Sequence, residues 1–165
     1  MRIQPNEQEV YKVLNNLGIS WVRHEHPPVF SVAQAEKYWE SIDGVHCKNL
    51  FLRNKKGNRH YLVVLEHLKK ADIKKLERQL REDRLSFTSA ERLKRYLGLE
   101  AGSVSPFGLV HDGKKDVHVV VDEDLRKADV VNFHPNVNTS TIGIKYSDFK
   151  KFLDWCGNTI CYIQL

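Results

Sequence analysis

Cysteine is scarce: the 165 residues hold three, Cys47, Cys156 and Cys161. They form no CxxC pair and no zinc spacing, which excludes a zinc ribbon and a disulfide scaffold. The reading is a reducing, cytoplasmic protein. Long apolar runs are missing too, since no stretch approaches the roughly 18 residues of a membrane helix. The start, Met1-Arg2-Ile3-Gln4-Pro5, has no apolar segment behind it and predicts no signal peptide. Charge of one sign is not in large excess: 26 Lys and Arg face 21 Asp and Glu, a formal +5. That suits a plain soluble domain or a binder of a polyanion. A hydrophobic share of 41% is ordinary, and the length predicts one domain, residues 1–165, with a substantial core.

The most informative stretch is Gly44-Val45-His46-Cys47-Lys48-Asn49-Leu50-Phe51-Leu52-Arg53. Its β-branched and aromatic residues predict a strand, and Asn54-Lys55-Lys56-Gly57-Asn58 predicts the turn of a hairpin. The partner run, His60-Tyr61-Leu62-Val63-Val64-Leu65, is apolar at almost every position, so it is read as a strand covered on both faces. Alternation places Lys48 on one face with Leu50 and Leu52, and Cys47 on the other. A lysine on such a face either snorkels to water or waits at the edge of an apolar cleft for a phosphate or carboxylate.

The remaining chain alternates helices with short strands. Residues 6–17 read as a helix capped by Asn6 with Glu9, burying Val10, Val13, Leu14 and Leu17 and ending at Gly18. Ile19 to His24 reads as a strand. The His24-Glu25-His26 triplet at its end reads as solvated surface, and no metal is expected. After Pro27-Pro28, Ser31 and Gln34 open a short helix with an apolar side of Val32, Ala35, Tyr38 and Trp39. That side is core or one wall of a cleft. Residues 72–82 form an amphipathic helix with Ile73, Leu76 and Leu80 inward. Around it, Lys69, Lys70, Lys74, Lys75, Arg78, Arg81 and Arg84 make the densest basic patch, either a solvated face or a contact for a nucleic-acid backbone. Leu85 to Phe87 reads as a strand, and Thr88 with Glu91 caps a helix that stops at Gly98. Leu109-Val110, Val117 to Val121, Val130 to Phe133 and Thr139 to Ile144 read as strands. Ser147 caps a last helix through Trp155, and Thr159 to Ile163 closes the chain.

Two further segments carry polar groups in loops. Gly98 to Gly108 combines glycine, serine and proline, so its backbone N–H groups can approach an oxyanion or carbonyl oxygen. Phe133-His134-Pro135-Asn136-Val137-Asn138-Thr139-Ser140-Thr141 places a histidine among Asn, Thr and Ser just past a strand end. His134 there either positions a proton or caps backbone groups. The element order predicts an α+β fold: a mixed, largely antiparallel sheet curled toward a barrel, with helices outside.

Lys48-Asn49 in a strand, then Gly102-Ser103-Val104-Ser105-Pro106-Phe107-Gly108, then the FHPN-x-NT run from Phe133 to Thr139 together resemble the YbaK/prolyl-tRNA synthetase-associated editing family. Within it, the chain is most similar to the freestanding ProX-type branch, which hydrolyses alanine from tRNA that should carry proline. The resemblance covers nearly the whole chain. It implies that Lys48 engages the terminal adenosine or phosphate region of the tRNA end, with Asn49 as its polar neighbour. It implies that the Gly102 backbone meets the aminoacyl group, with Ser103, Ser105 and Pro106 completing that loop. His134 falls at the pocket mouth with Asn138 and Thr139 in the same motif, and Val32 and Ala35 fall in the wall that measures side-chain size. The implied partners are tRNA and prolyl-tRNA synthetase, without membrane and without cofactor.

An aminoacyl ester is already activated, so its hydrolysis needs positioning and a polarised carbonyl more than a strong nucleophile. No serine triad and no thiol–histidine motif is present. The expected reaction has Lys48 anchoring the tRNA end, backbone N–H groups at Gly102 holding the ester carbonyl, and water attacking with help from the terminal ribose hydroxyl. Rival readings are a deacylase for Cys-, Ser- or Thr-tRNA and a non-catalytic tRNA-binding module.

Overall fold

Ten consecutive residues, Val45–Asn54, form strand β2, and His60–Glu66 form β3 beside it. The computed structural model describes residues 3–165; Met1 and Arg2, part of the stretch read for a leader, lie outside them. The other strands are β1 (Val22–Glu25), β4 (Leu85–Phe87), β5 (Val117–Asp122), β6 (Val130–Phe133), β7 (Ser140–Lys145) and β8 (Ile160–Ile163). They join one open sheet in the order β1-β7-β6-β2-β3-β5-β8, with β4 paired to β2. Four pairings are antiparallel and three parallel. The expected α+β class with a mixed sheet holds, and the sheet does not close into a barrel.

The arrangement around β2 creates the site. One edge of β2 pairs with β3 from Cys47 to Arg53. The other edge forks: β6 pairs only Val45 and His46, and β4 pairs only Leu52 to Asn54. Between them, the stretch from Cys47 to Leu50 faces no strand on that side among the described residues.

Two apolar layers cover the sheet. Val10 and Leu14 of helix α1 (Pro5–Asn16) pack on one face with Leu93 and Leu97 of α4 (Ala90–Leu97) and Phe149 and Phe152 of α5 (Tyr146–Cys156). On the other face, Leu76 of α3 (Ile73–Leu80) meets Leu52, Tyr61, Val63 and Leu65. Complete burial of Leu76 contributes about 2 kcal/mol. All of His60 to Leu65 is buried, as expected for a strand covered on both faces. A third, small cluster of Val29, Ala35, Trp39 and Ile42 gathers around α2 (Val32–Trp39). Among the described residues, no helix is long and apolar enough to cross a membrane.

Several element boundaries differ from the sequence expectation. Helix α1 is capped by Gln4, not Asn6: Pro5 takes the first helical position, where its missing N–H is harmless. Glu7, not Glu9, reaches back to the Gln4 N–H at 2.9 Å. Ser89 rather than Thr88 caps α4, accepting from the Arg92 N–H. Lys145, not Ser147, stands at the cap position of α5, with Tyr146 already helical. Leu109-Val110 is not a strand. Ser105 caps a 3₁₀ helix there, Pro106–His111, by accepting from the Phe107 N–H.

Candidate functional site

A cavity of about 240 Å³ opens against the unpaired stretch of β2. Cys47, Lys48, Asn49 and Leu50 all line it. Consecutive strand residues point to opposite faces, so four in a row reach one cavity only where it meets the strand at its edge. Alternation is kept: Cys47 joins the core on one face and Leu50 the α3 cluster on the other. Cys47 lies on the face opposite Lys48, as alternation predicts, and still borders the cavity because the cavity wraps the edge.

Helix α2 and the residues before it form the apolar wall. Val29, Phe30, Ser31, Val32, Ala35 and Trp39 line it. Ser31 caps the helix by accepting from the Gln34 N–H, and Gln34 in turn accepts from the Phe30 N–H at 2.8 Å. Ala35 is buried, whereas the Phe30 ring stands exposed at the rim.

Lys48 is half-buried and has no hydrogen-bond or ion-pair partner among the described residues. Desolvation pushes its ammonium pKa down. An unpaired, partly desolvated cation gains from any anion that enters. Asn49 donates from Nδ2 to the Val104 carbonyl at 3.3 Å, while its buried Oδ1 has no partner among the described residues. That oxygen is an acceptor held ready at the cavity wall, and burying it unpaired costs on the order of 1–3 kcal/mol.

The loop after α4 supplies Gly102 and Val104. Gly102 sits at φ +85°, in the left-handed region that a side chain would strain. The Ser103 N–H is used inside the loop, donating to the Glu100 carbonyl at 3.1 Å. The N–H groups of Gly102 and Val104 have no partner among the described residues.

His134 also lines the cavity. Its Nδ1 lies 3.0 Å from the Ser140 carbonyl oxygen, so Nδ1 carries the proton and Nε2 is the acceptor. Burial pushes its pKa down, with the neighbouring His26 adding to the shift and the Ser140 bond opposing it. His26 itself is fully engaged, with Nδ1 at 2.9 Å from the Pro27 carbonyl and Nε2 at 2.9 Å from Thr141 Oγ1.

Of the residues singled out in the sequence, Lys48, Asn49, Gly102, His134, Val32 and Ala35 come together around the cavity. The others stand behind it. Ser103 is buried in the loop, and Ser105 and Pro106 start the 3₁₀ helix. Asn138 braces Val29, donating from Nδ2 to the Val29 carbonyl and accepting the Val29 N–H on its own carbonyl, each at 3.2 Å. Thr139 accepts the His26 N–H on its carbonyl and the Gln4 amide on Oγ1. Phe30, Leu50 and Val104 line the cavity without having been singled out, while Trp39 comes from the helix side read as core or cleft wall. Phe30 is the one with a local signal, since it lies between the Pro27-Pro28 break and the Ser31 cap.

Residues 26–152 match the family model described as the aminoacyl-tRNA editing domain. The chain belongs to the aminoacyl-tRNA editing domain family. It is 41% identical over 160 residues to the prolyl-tRNA editing protein ProX of Acetoanaerobium sticklandii, covering 96% of this chain and 97% of that one. It is 32% identical over 149 residues to prolyl-tRNA synthetase associated domain-containing protein 1 of Danio rerio, covering 89% of this chain and 80% of that protein. A crystal structure described as a candidate trans-editing enzyme for prolyl tRNA synthetase superimposes with a TM-score of 0.73 at 20% identity, covering 98% of both chains. That likeness is one of fold. The activity of an editing-domain protein is hydrolysis of an aminoacyl-tRNA ester.

Proposed function

We propose that this protein is a trans-editing deacylase that hydrolyses Ala-tRNA(Pro) to alanine and free tRNA(Pro), with prolyl-tRNA synthetase as the source of the mischarged tRNA. The observation that carries the reading is the pairing of an unpartnered Lys48 ammonium with a small apolar wall in one cavity. The cation suits the phosphate-bearing end of a tRNA. The wall of Val29, Val32, Ala35 and Trp39 suits a side chain of methyl size. Helix α3, which carries Lys74, Lys75 and Arg78 of the basic patch, packs on the β2 face where Leu50 and Leu52 stand, and alternation puts Lys48 on that face. The patch supports contact with the tRNA backbone. Lys69 is not free for it, being held by Asp122 at 2.8 Å and Asp124 at 2.6 Å.

The proposed chemistry is positional. The N–H groups of Gly102 and Val104 polarise the ester carbonyl as negative charge develops on its oxygen. The Asn49 Oδ1 accepts from the substrate's α-ammonium or ribose hydroxyl. Water attacks the carbonyl carbon, the bond from that carbon to the ribose oxygen breaks, and the leaving oxygen takes up the proton that the water gives away. His134 Nε2, neutral at pH 7, is the acceptor that orders that water or the ribose hydroxyl. Cys47 is no rival nucleophile: burial pushes its thiol pKa up, so it stays protonated. Proline is excluded by size, and size exclusion of a larger ring is stronger than the one-methyl contrast between alanine and glycine, about 1–3 kcal/mol.

The test is deacylation of Ala-, Pro- and Cys-tRNA(Pro) side by side with wild type and Lys48→Ala. Release of alanine alone, lost in the variant, is the expected result. Release of cysteine instead moves the specificity. Tight tRNA binding with no hydrolysis of any ester overturns the deacylase reading in favour of a binding module.

A further inference from the structure

A carboxylate outside the cavity is built into the support of His134. Glu7 on α1 is completely buried. Its Oε1 accepts from Arg23 Nε at 3.0 Å, from the Tyr11 hydroxyl at 3.2 Å and from Ser140 Oγ at 2.5 Å, and its Oε2 accepts from the Gln4 N–H at 2.9 Å. Burial alone would raise the Glu7 pKa, but the bonds from Ser140, Arg23 and Gln4 outweigh it and hold the carboxyl below its ordinary value. Arg23 also approaches Glu25 at 3.7 Å. A buried carboxylate with this many donors is a fixed point, because turning it would leave the buried Tyr11 and Ser140 hydroxyls unpaired and Arg23 without its partner.

Ser140 is where that fixed point meets the cavity. Its hydroxyl donates to Glu7, and its carbonyl receives the His134 Nδ1–H at 3.0 Å. The same helix end reaches the segment a second time, through the Gln4 amide on Thr139 Oγ1 at 3.1 Å. We infer that Glu7 is a positioning residue for His134: by clamping Ser140 it fixes the histidine ring and its Nδ1–H tautomer, leaving Nε2 toward the cavity. The inference rests on the deacylase reading for its effect on rate, and on geometry alone for its effect on the ring.

Glu7→Ala strands Arg23 beside an emptied buried site and endangers folding, so Ser140→Ala is the deciding variant. It removes the hydroxyl that ties residue 140 to Glu7 and keeps the Glu7–Arg23 pair, so the backbone carbonyl at 140 is still present but no longer held against His134 Nδ1. Two readouts are taken on the full chain: long-range proton–nitrogen correlation of the His134 ring, assigned with His134→Asn, and steady-state deacylation of Ala-tRNA(Pro). In wild type the ring is expected wholly as the Nδ1–H tautomer. In Ser140→Ala the Nε2–H form rises to a comparable share, kcat falls about tenfold and KM stays within twofold. Glu7→Gln gives the same pattern, and combining it with Ser140→Ala adds little, as expected of residues acting in series. A wild-type tautomer in Ser140→Ala overturns the inference, even if kcat falls, because general loosening of the fold would lower kcat alone. An altered tautomer with unchanged kcat overturns the link to the reaction. If wild type hydrolyses no aminoacyl-tRNA, the deacylase reading fails, and the tautomer measurement alone decides whether Glu7 sets the ring.

Discussion

Phe30 lies over Gly102 at the cavity rim: a methyl group built on Gly102 would come 3.3 Å from the ring carbon Cδ1. Two features therefore keep this position a glycine, the ring above it and its φ of +85°. Gly102→Ala is expected to lose at least tenfold in kcat/KM for Ala-tRNA(Pro), because the added methyl displaces the ring and tilts the N–H held for the ester carbonyl. The left-handed backbone adds about 1 kcal/mol of strain, a drop of roughly 2–4 °C in Tm for a chain of this size. Full activity in the variant would remove Gly102 from the proposed mechanism.

Lys48 is expected to separate activity from stability. Its ammonium is partly desolvated and unpaired, so the folded state gains nothing from its charge. Lys48→Met keeps the apolar stem and removes the charge. Its kcat/KM should fall by about 100-fold or more while Tm stays level or rises. Lys48→Arg should restore little, because the wider guanidinium does not fit the place of a compact ammonium. A variant that keeps its rate, or a Lys48→Met that unfolds several degrees early, would show that the lysine is structural.

The strands and loops around the cavity could be read from local pattern, whereas the choice of candidate site residues among them rests on the family resemblance. The β-branched runs around Lys48 and His60 mark β2 and β3, and the polar cluster after Phe133 marks the His134 loop. The rest depends on residues far apart in sequence. Cys47 reaches the cavity only because β6 and β4 leave a gap along β2, which no periodicity announces. Glu7, in the first turn of α1, meets Ser140, 133 positions away, only in the folded chain. The cap errors have a simpler cause. Gln4 with Pro5 competes with Asn6, and Ser89 competes with Thr88. Neighbouring capping residues are not ranked by propensity alone.

The size of the apolar wall is expected to set the substrate. Ala35 is buried against Val29 and Trp39 in the wall. Ala35→Val fills space that the alanine methyl would occupy, and deacylation of Ala-tRNA(Pro) should drop more than tenfold while Gly-tRNA(Pro) is less affected. Val32→Ala removes two methyl groups and should admit a 2-aminobutyryl ester that wild type handles poorly. A difference of one methylene in such a pocket is worth about 1–3 kcal/mol. Parallel deacylation rates for the three esters measure this, and unchanged ratios in both variants would place the amino-acid pocket elsewhere.

His60 is expected to make stability depend on pH. Its ring is buried, stacks on Tyr96 with centroids 3.9 Å apart, and has Nε2 only 3.1 Å from Arg92 Nη1. Burial, then the charges of Arg92, Arg53 and Arg95, push its pKa down to about 4, with Asp116 opposing. In the unfolded chain the ring titrates near 6.5. Between those values the unfolded state holds a proton that the native state does not, so stability falls as pH drops below about 6.5 and is fully present above it. The loss approaches at most about 3 kcal/mol by pH 4. His46 and His134, also pushed down by burial, act in the same direction. Urea denaturation at pH 7.5, 6 and 5 should show the midpoint moving down, and His60→Gln should flatten that slope while lowering stability at pH 7.5. A variant with the wild-type slope would mean that the His60 ring keeps an ordinary pKa despite Arg92.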